Sequence, residues 1–310
     1  MARGDSNFLG RECGKHRLMS AIALEPPRAR AVAVRRGIGR VALFLLVLAA
    51  LWGLWEGYRW LWMHEGWTWP FVVDDTSLPP LQDIFGALFD PARVNGPLLI
   101  TLLWHSALFT AKEAAVGFGI GAVVGFVLGV VLAHFSVLQR GLLPYIVASQ
   151  TIPIIAIAPM VVVGLGNYSM PAWLRVAVIA AYLTFFPVTV NTLRGLQSAE
   201  PRALELMHSY AASRWTILWK LRVPAALPYL FSAFKVSATA SVVGAIIGEA
   251  PSSIPDGLGG AIINFNQYYT LQPQNLWATN VIAACLGIFF FLSVVVVEKI
   301  VVRRPPEQRV

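Results

Sequence analysis

Six stretches of this chain are each long and apolar enough to cross a lipid bilayer, and nothing else in the sequence constrains its fold more. They run approximately 41–62, 111–135, 142–165, 173–193, 225–248 and 277–297. At 1.5 Å rise per residue, about 20 residues cover a hydrocarbon core roughly 30 Å thick. Inside such a core each backbone N–H and C=O must find a partner within the protein, which favours helices. Composition agrees. Of 310 residues 57% are hydrophobic and 13% charged, and a soluble domain carries about 25% charged residues. The expectation is an all-α, polytopic transmembrane helix bundle of about six spans. Disorder and a disulfide-rich secreted module are excluded, and a compact water-soluble enzyme does not fit.

The net charge of +8 raises the question of nucleic acid, and its distribution answers it. Nine of the 24 Lys and Arg lie in residues 1–40, ahead of the first apolar run, with no folded module or interleaved aromatics beside them. They read as a basic cytoplasmic tail under the positive-inside rule. With the N-terminus inside, the cytoplasmic segments 1–40, 136–141, 194–224 and 298–310 hold 19 of the 24 basic residues. The opposite side has Arg93 against Glu65, Asp74, Asp75, Asp83, Asp90, Glu249 and Asp256. Both termini are therefore expected in the cytoplasm. Cys13 and Cys285 offer no disulfide framework.

The chain divides into the tail 1–40, an anchor span 41–62, an outer-face connection 63–110, a transmembrane domain 111–300 and a second tail 301–310. The anchor is read as uncleaved, since no small-residue cleavage site follows Leu54 and Trp55, Tyr58, Trp60, Trp62, Trp67 and Trp69 come instead as an interfacial aromatic belt. Leu81, Ile84, Phe85, Leu88 and Phe89 fall at helical spacing and predict a short helix on the membrane surface.

Several features inside the spans carry physical consequences. Gly117, Gly121, Gly125 and Gly129 share one helix face, where a neighbouring helix can approach closely. Pro144, Pro153 and Pro159 interrupt the third span, and the last two free the carbonyls of Ser149 and Ile155. Free carbonyls at membrane depth belong in protein or beside a watery path, so Gln150, Thr151 and Pro153 are candidate path residues. Lys235, about ten residues into the fifth span, and Glu249 at its outer end join them as intramembrane ionisable groups. Lys112 and Glu113 stand near the outer end of the second span and read as interfacial. The cytoplasmic loop 194–224 predicts two short helices, 201–210 and 214–221, with Pro201 at a first helical position and Ser213 as an N-cap.

At that loop the chain resembles the integral-membrane permeases of binding-protein-dependent ABC importers, of type I. The family pattern is E-A-A, three residues, G, nine residues, I-x-L-P. Here Glu205-Leu206-Met207, then Ala211, then Leu221-Arg222-Val223-Pro224 keep that spacing. Leu-Met replaces Ala-Ala, and Ala211 stands where the family has glycine; a positive φ there would cost alanine about 1 kcal/mol. Thr110-x-x-Glu113-Ala114-x-x-Gly117-Phe118, Gln150-Thr151-Ile152-Pro153, Phe186-Pro187-x-x-x-Asn191-Thr192-x-Arg194-Gly195 and Gly244-x-x-x-Gly248-Glu249 resemble the branch that handles nitrate, sulfonates, taurine and thiamine-precursor pyrimidines.

The resemblance implies alternating access. An extracytoplasmic solute-binding protein delivers solute, two permease chains form the path, and separate cytosolic ATPase subunits drive it. Identical permease chains are the simpler case. Glu205, Leu206, Met207, Ala211, Ser213, Leu221, Val223 and Pro224 would form the ATPase-docking element. The chain is not expected to be an enzyme or to bind a cofactor or metal; ATP and Mg would belong to the partner ATPase. Its nearest approach to a P-loop, Gly10 to His16, is one residue short and has His16 where Ser or Thr should hold magnesium. The rival readings are another ABC branch, for amino acids or peptides, and an ion-coupled secondary transporter, which predicts inverted repeats that the sequence lacks.

Overall fold

The computed structural model describes residues 27–66, 74–92, 96–252 and 254–302. The tail before residue 27 with Cys13 and the Gly10–His16 segment, Trp67, Trp69, Arg93 and residues 303–310 lie outside the described residues. The chain forms two units, 1–73 and 74–310. In the first, α1 (Pro27–Glu65) carries a stretch fit to cross a membrane from Val41 to Glu65. At its end Tyr58 stacks on Trp62 with ring centroids 4.5 Å apart, and Trp60 on His64 at 5.1 Å.

The second unit is all-helical among its described residues apart from one isolated bridge, Pro91 to Leu98. Its elements are α2 (Leu81–Ala87), α3 (Leu99–His134), α4 (Ser136–Ala148), α5 (Ile154–Gly166), α6 (Ala172–Gln197), α7 (Pro201–Ser209), α8 (Arg214–Ile217), α9 (Val223–Ser252), α10 (Leu258–Gln267) and α11 (Pro273–Val301). Helices α3, α6, α11 and the run from α8 through α9 are long and apolar enough to span a membrane. With α1 and the bent pair α4–α5, the described residues hold five or six candidate spans.

Helix α6 occupies the middle, and glycines bring its neighbours onto it. A Cβ at Gly117 would fall 2.5 Å from that of Ala180, and one at Gly121 would fall 2.6 Å from the carbonyl oxygen of Ala181. Gly125 lies against Phe185 and Val188, and Gly129 against Thr192. On the other side, Gly244 and Gly248 of α9 face Ala180 and Ile179. Small residues permit this approach where apolar driving force between helices is weak.

Three features differ from the expectations. Helix α3 starts at Leu99 rather than 111, because its first three turns, broken in hydropathy by Thr101, His105, Ser106 and Thr110, continue the helix beyond the apolar core. Its 36 residues span about 54 Å. Helix α2 forms at the expected place; Ile84 and Leu88 pack into a core with Leu99, Leu103, Leu258 and Phe265, while Phe85 and Phe89 are exposed. The third span is two helices bent by 100°. The second loop helix is not separate either; α8 runs through a π-helical turn, Leu218–Arg222, directly into α9.

Candidate functional site

The loop between α6 and α9 is built from a helix, a left-handed turn and a second helix. Pro201 opens α7 at a position where its missing N–H costs nothing. After Ser209 the chain reverses at Ala211, whose φ of 52° lies in the left-handed region. The Ala211 N–H donates to the His208 carbonyl (2.9 Å) and the Ala212 N–H to that of Met207 (3.0 Å), closing the end of α7. Ser213 then caps α8, its hydroxyl oxygen accepting from the Thr216 N–H at 3.2 Å. Ile217 and Leu218 are buried, the latter in a cluster with Leu196, Ala226 and Leu230 that roots the loop on α6 and α9.

Above that root the loop presents large apolar groups to solvent. Leu206 is 57% exposed, Tyr210 78%, Trp215 68% and Trp219 55%. Glu205 and Pro224 are exposed, and Met207, Leu221 and Val223 half-buried.

The proline break places Gln150, Thr151 and Pro153 together at the 100° bend. A 3-10 turn (Ser149–Thr151) ends the first limb, Ile152 is extended, and Pro153 is the N-cap of α5. The carbonyl that Pro153 frees on Ser149 accepts a hydrogen bond from the Tyr182 hydroxyl of α6. Thr151 donates to the Ala148 carbonyl at 2.8 Å, while the buried Nε2 of Gln150 has no partner among the described residues.

Lys235 and Glu249 do not join this group. The Lys235 ammonium pairs with Glu298 of α11 at 2.6 Å, each side chain about a quarter exposed. Glu249 is fully buried in a knot that ties three elements. The Thr110 hydroxyl of α3 donates to its Oε1 at 2.6 Å, and Thr110 Oγ1 itself accepts from the Leu258 N–H at 2.9 Å. The Gly259 N–H donates to Oε2. Gly257 lies so near the carboxyl that any Cβ there would collide with it. Glu113, expected at the interface, is also fully buried and adjoins Glu249.

Sequence reasoning missed Tyr182, Thr110 as a ligand of Glu249, and the run Gly257-Leu258-Gly259-Gly260. The last carried a signal, three glycines at the opening of a helix, where backbone must pass close to something.

Beside the knot, a cavity of about 680 Å³ opens between the first turns of α3, the 254–257 loop and α10. Thr101, His105, Ser106, Asp256 and Asn264 supply its polar lining.

Comparison with known proteins places these features in one family. Residues 121–305 match the family described as "Binding-protein-dependent transport system inner membrane component". The chain is 32% identical over 219 residues to the formylaminopyrimidine transport permease protein ThiX of Halalkalibacterium halodurans, covering 68% of this chain and 85% of that one. Over 271 residues it is 25% identical to the putative aliphatic sulfonates transport permease protein SsuC of Bacillus subtilis, covering 84% and 88%. Over 174 residues it is 30% identical to the taurine transport system permease protein TauC of Escherichia coli, covering 53% and 58%. Among solved structures, a crystal structure of an amino acid ABC transporter shares the fold, with a TM-score of 0.51 at 18% identity over 66% of this chain and 95% of that one. The match extends over more than half of the sequence and across its membrane helices: this chain belongs to the inner-membrane permeases of binding-protein-dependent ABC importers.

Proposed function

We propose that this permease forms the transmembrane path for a small polar solute of the nitrate, sulfonate, taurine or pyrimidine-precursor class, and that its loop 201–224 grips a separate cytosolic ATPase. The relatives' names supply the solute class. The observation that carries the coupling reading is the loop itself. It exposes Leu206, Tyr210, Trp215 and Trp219, and its second helix continues unbroken into α9, so a push on the loop reaches the membrane. Both termini then lie in the cytoplasm with the loop, in keeping with the basic residues on that side.

A second permease chain, identical in the simplest case, completes the path, and an extracytoplasmic solute-binding protein feeds it. ATP and Mg belong to the ATPase subunits, and this chain has no ATP site of its own. Gln150, Thr151 and Pro153 line the path at the bend of α4 and α5. Lys235 and Glu249 act by holding helices together, given their ion pair and hydrogen bonds. Removing residues 200–214 is expected to leave membrane insertion intact and to abolish co-purification with the ATPase. Retained ATPase binding refutes the docking role, and wild-type uptake by the Gln150→Ala/Thr151→Ala double variant refutes the path.

A further inference from the structure

Glu113 poses a problem that packing alone does not solve. It is fully buried on α3, and neither of its carboxyl oxygens accepts a hydrogen bond from a protein N–H or O–H among the described residues. Its neighbour is a second buried carboxyl, that of Glu249. The charged and titratable groups around the pair do not neutralise it. Lys112, the next residue, is the one cation that acts on Glu113 electrostatically, and it does so more weakly than burial or Glu249, its ammonium lying over the Trp173 ring at 4.4 Å. Arg175 of α6 donates to the Val162 carbonyl at 3.1 Å. His105 is exposed on α3, and Asp256, exposed in the 254–257 loop, is another acid. Helix α10 has no charged residue, and Glu298 and Lys299 stand at the far end of α11.

Two ionised carboxylates side by side, out of water and with no cation in an ion pair with either, repel strongly and lose their hydration. Sharing one proton removes the repulsion and leaves a single buried charge, and the donors around Glu249 indicate which carboxyl carries it. Each oxygen of Glu249 accepts a hydrogen bond, from Thr110 and from Gly259, which suits an ionised group. Glu113 has no such donors and an unused oxygen to protonate. We infer that Glu113 is a neutral carboxylic acid whose O–H donates to the Glu249 carboxylate, a one-proton latch joining α3 to α9 beneath the 254–257 loop. That loop borders the outer cavity through Pro255 and Asp256. The latch therefore fixes one wall of the cavity, a role distinct from solute passage or ATPase docking.

Infrared spectroscopy of the full-length permease in lipid, at neutral pH, tests this directly. Ionised acids do not contribute the C=O stretch of a protonated carboxyl. The wild type is expected to show such a band at one group per chain, shifted in heavy water. Glu113→Gln is expected to lose the band while keeping the wild-type melting temperature, because its amide donates the same hydrogen bond. Glu113→Leu, which cannot donate, lowers the melting temperature. Absence of the band in the wild type, or its survival in Glu113→Gln, overturns the latch. If Glu113→Gln fails to fold, Glu113→Asp decides: a displaced acid shifts the band, and an unshifted band overturns the inference.

Discussion

At the scale of single residues, Ala211 states most clearly what the loop requires. Its φ of 52° costs an L-residue with a Cβ about 1–2 kcal/mol, a cost that glycine avoids. Glycine also loses more unfolded-chain entropy, by about 0.4–1 kcal/mol. Ala211→Gly is therefore expected to stabilise the turn by about 0.5 kcal/mol, measured as slower hydrogen exchange at the amides of Ala211 and Ala212. Faster exchange would show that the strain is not there. Ser213→Ala removes the cap of α8 and is expected to cost about 1 kcal/mol in the same measurement. Ser213 was legible in the sequence because cap chemistry is local, whereas the turn at Ala211 was marked only by the resemblance to a family that has glycine there. Tyr182 was not, because the carbonyl it satisfies lies 33 positions away. A free carbonyl at Ser149 follows from Pro153 by chain chemistry, but its donor is chosen by tertiary packing. Tyr182→Phe is expected to cost about 1–2 kcal/mol in thermal unfolding, leaving that carbonyl without its donor; an unchanged melt would mean that another donor takes over.

Among elements, the contact of α3 with α6 depends on which glycines face it. Gly121→Ala forces a methyl to within 2.6 Å of the Ala181 carbonyl and is expected to cost about 1–3 kcal/mol through displacement of the helices. Gly119→Ala, one helix face away with nothing within 4 Å, is expected to be neutral or to stabilise by up to about 1 kcal/mol. Thermal unfolding of the two variants separates packing from helix propensity; equal effects would contradict the packing account. The pair Lys235–Glu298 joins α9 to α11, and its partial exposure softens the loss. Lys235→Ala is expected to cost about 1–2 kcal/mol, and exchange of the two residues to recover most of it. Failure of the exchange would mean that the stem of Lys235, rather than its charge, matters. The four-residue glycine period told which face was small, because periodicity is a property of one segment. The partner on that face, the 100° bend and the long first turns of α3 depend on segments far apart in sequence. Polar residues at 101, 105, 106 and 110 masked those turns by imitating a loop.

For the molecule as a whole, the spans, the family and the loop register were readable because hydropathy and spacing are written along the chain. The Glu113–Glu249 knot was not, since its donors come from α3 and from the glycine run that opens α10. For the entire permease we propose one arrangement: the exposed loop that leads into α9 emerges opposite the knot and its cavity, on the side where ATP is available. Single cysteines at Ser209 and at Asp256, placed in a Cys13→Ser/Cys285→Ser background, are to be reacted with a membrane-impermeant thiol reagent in vesicles of each orientation. Labelling at position 209 only from the cytoplasmic side, and at 256 only from the outer side, is the predicted result. Labelling of 209 from the outer side, or of both positions from one side, contradicts it.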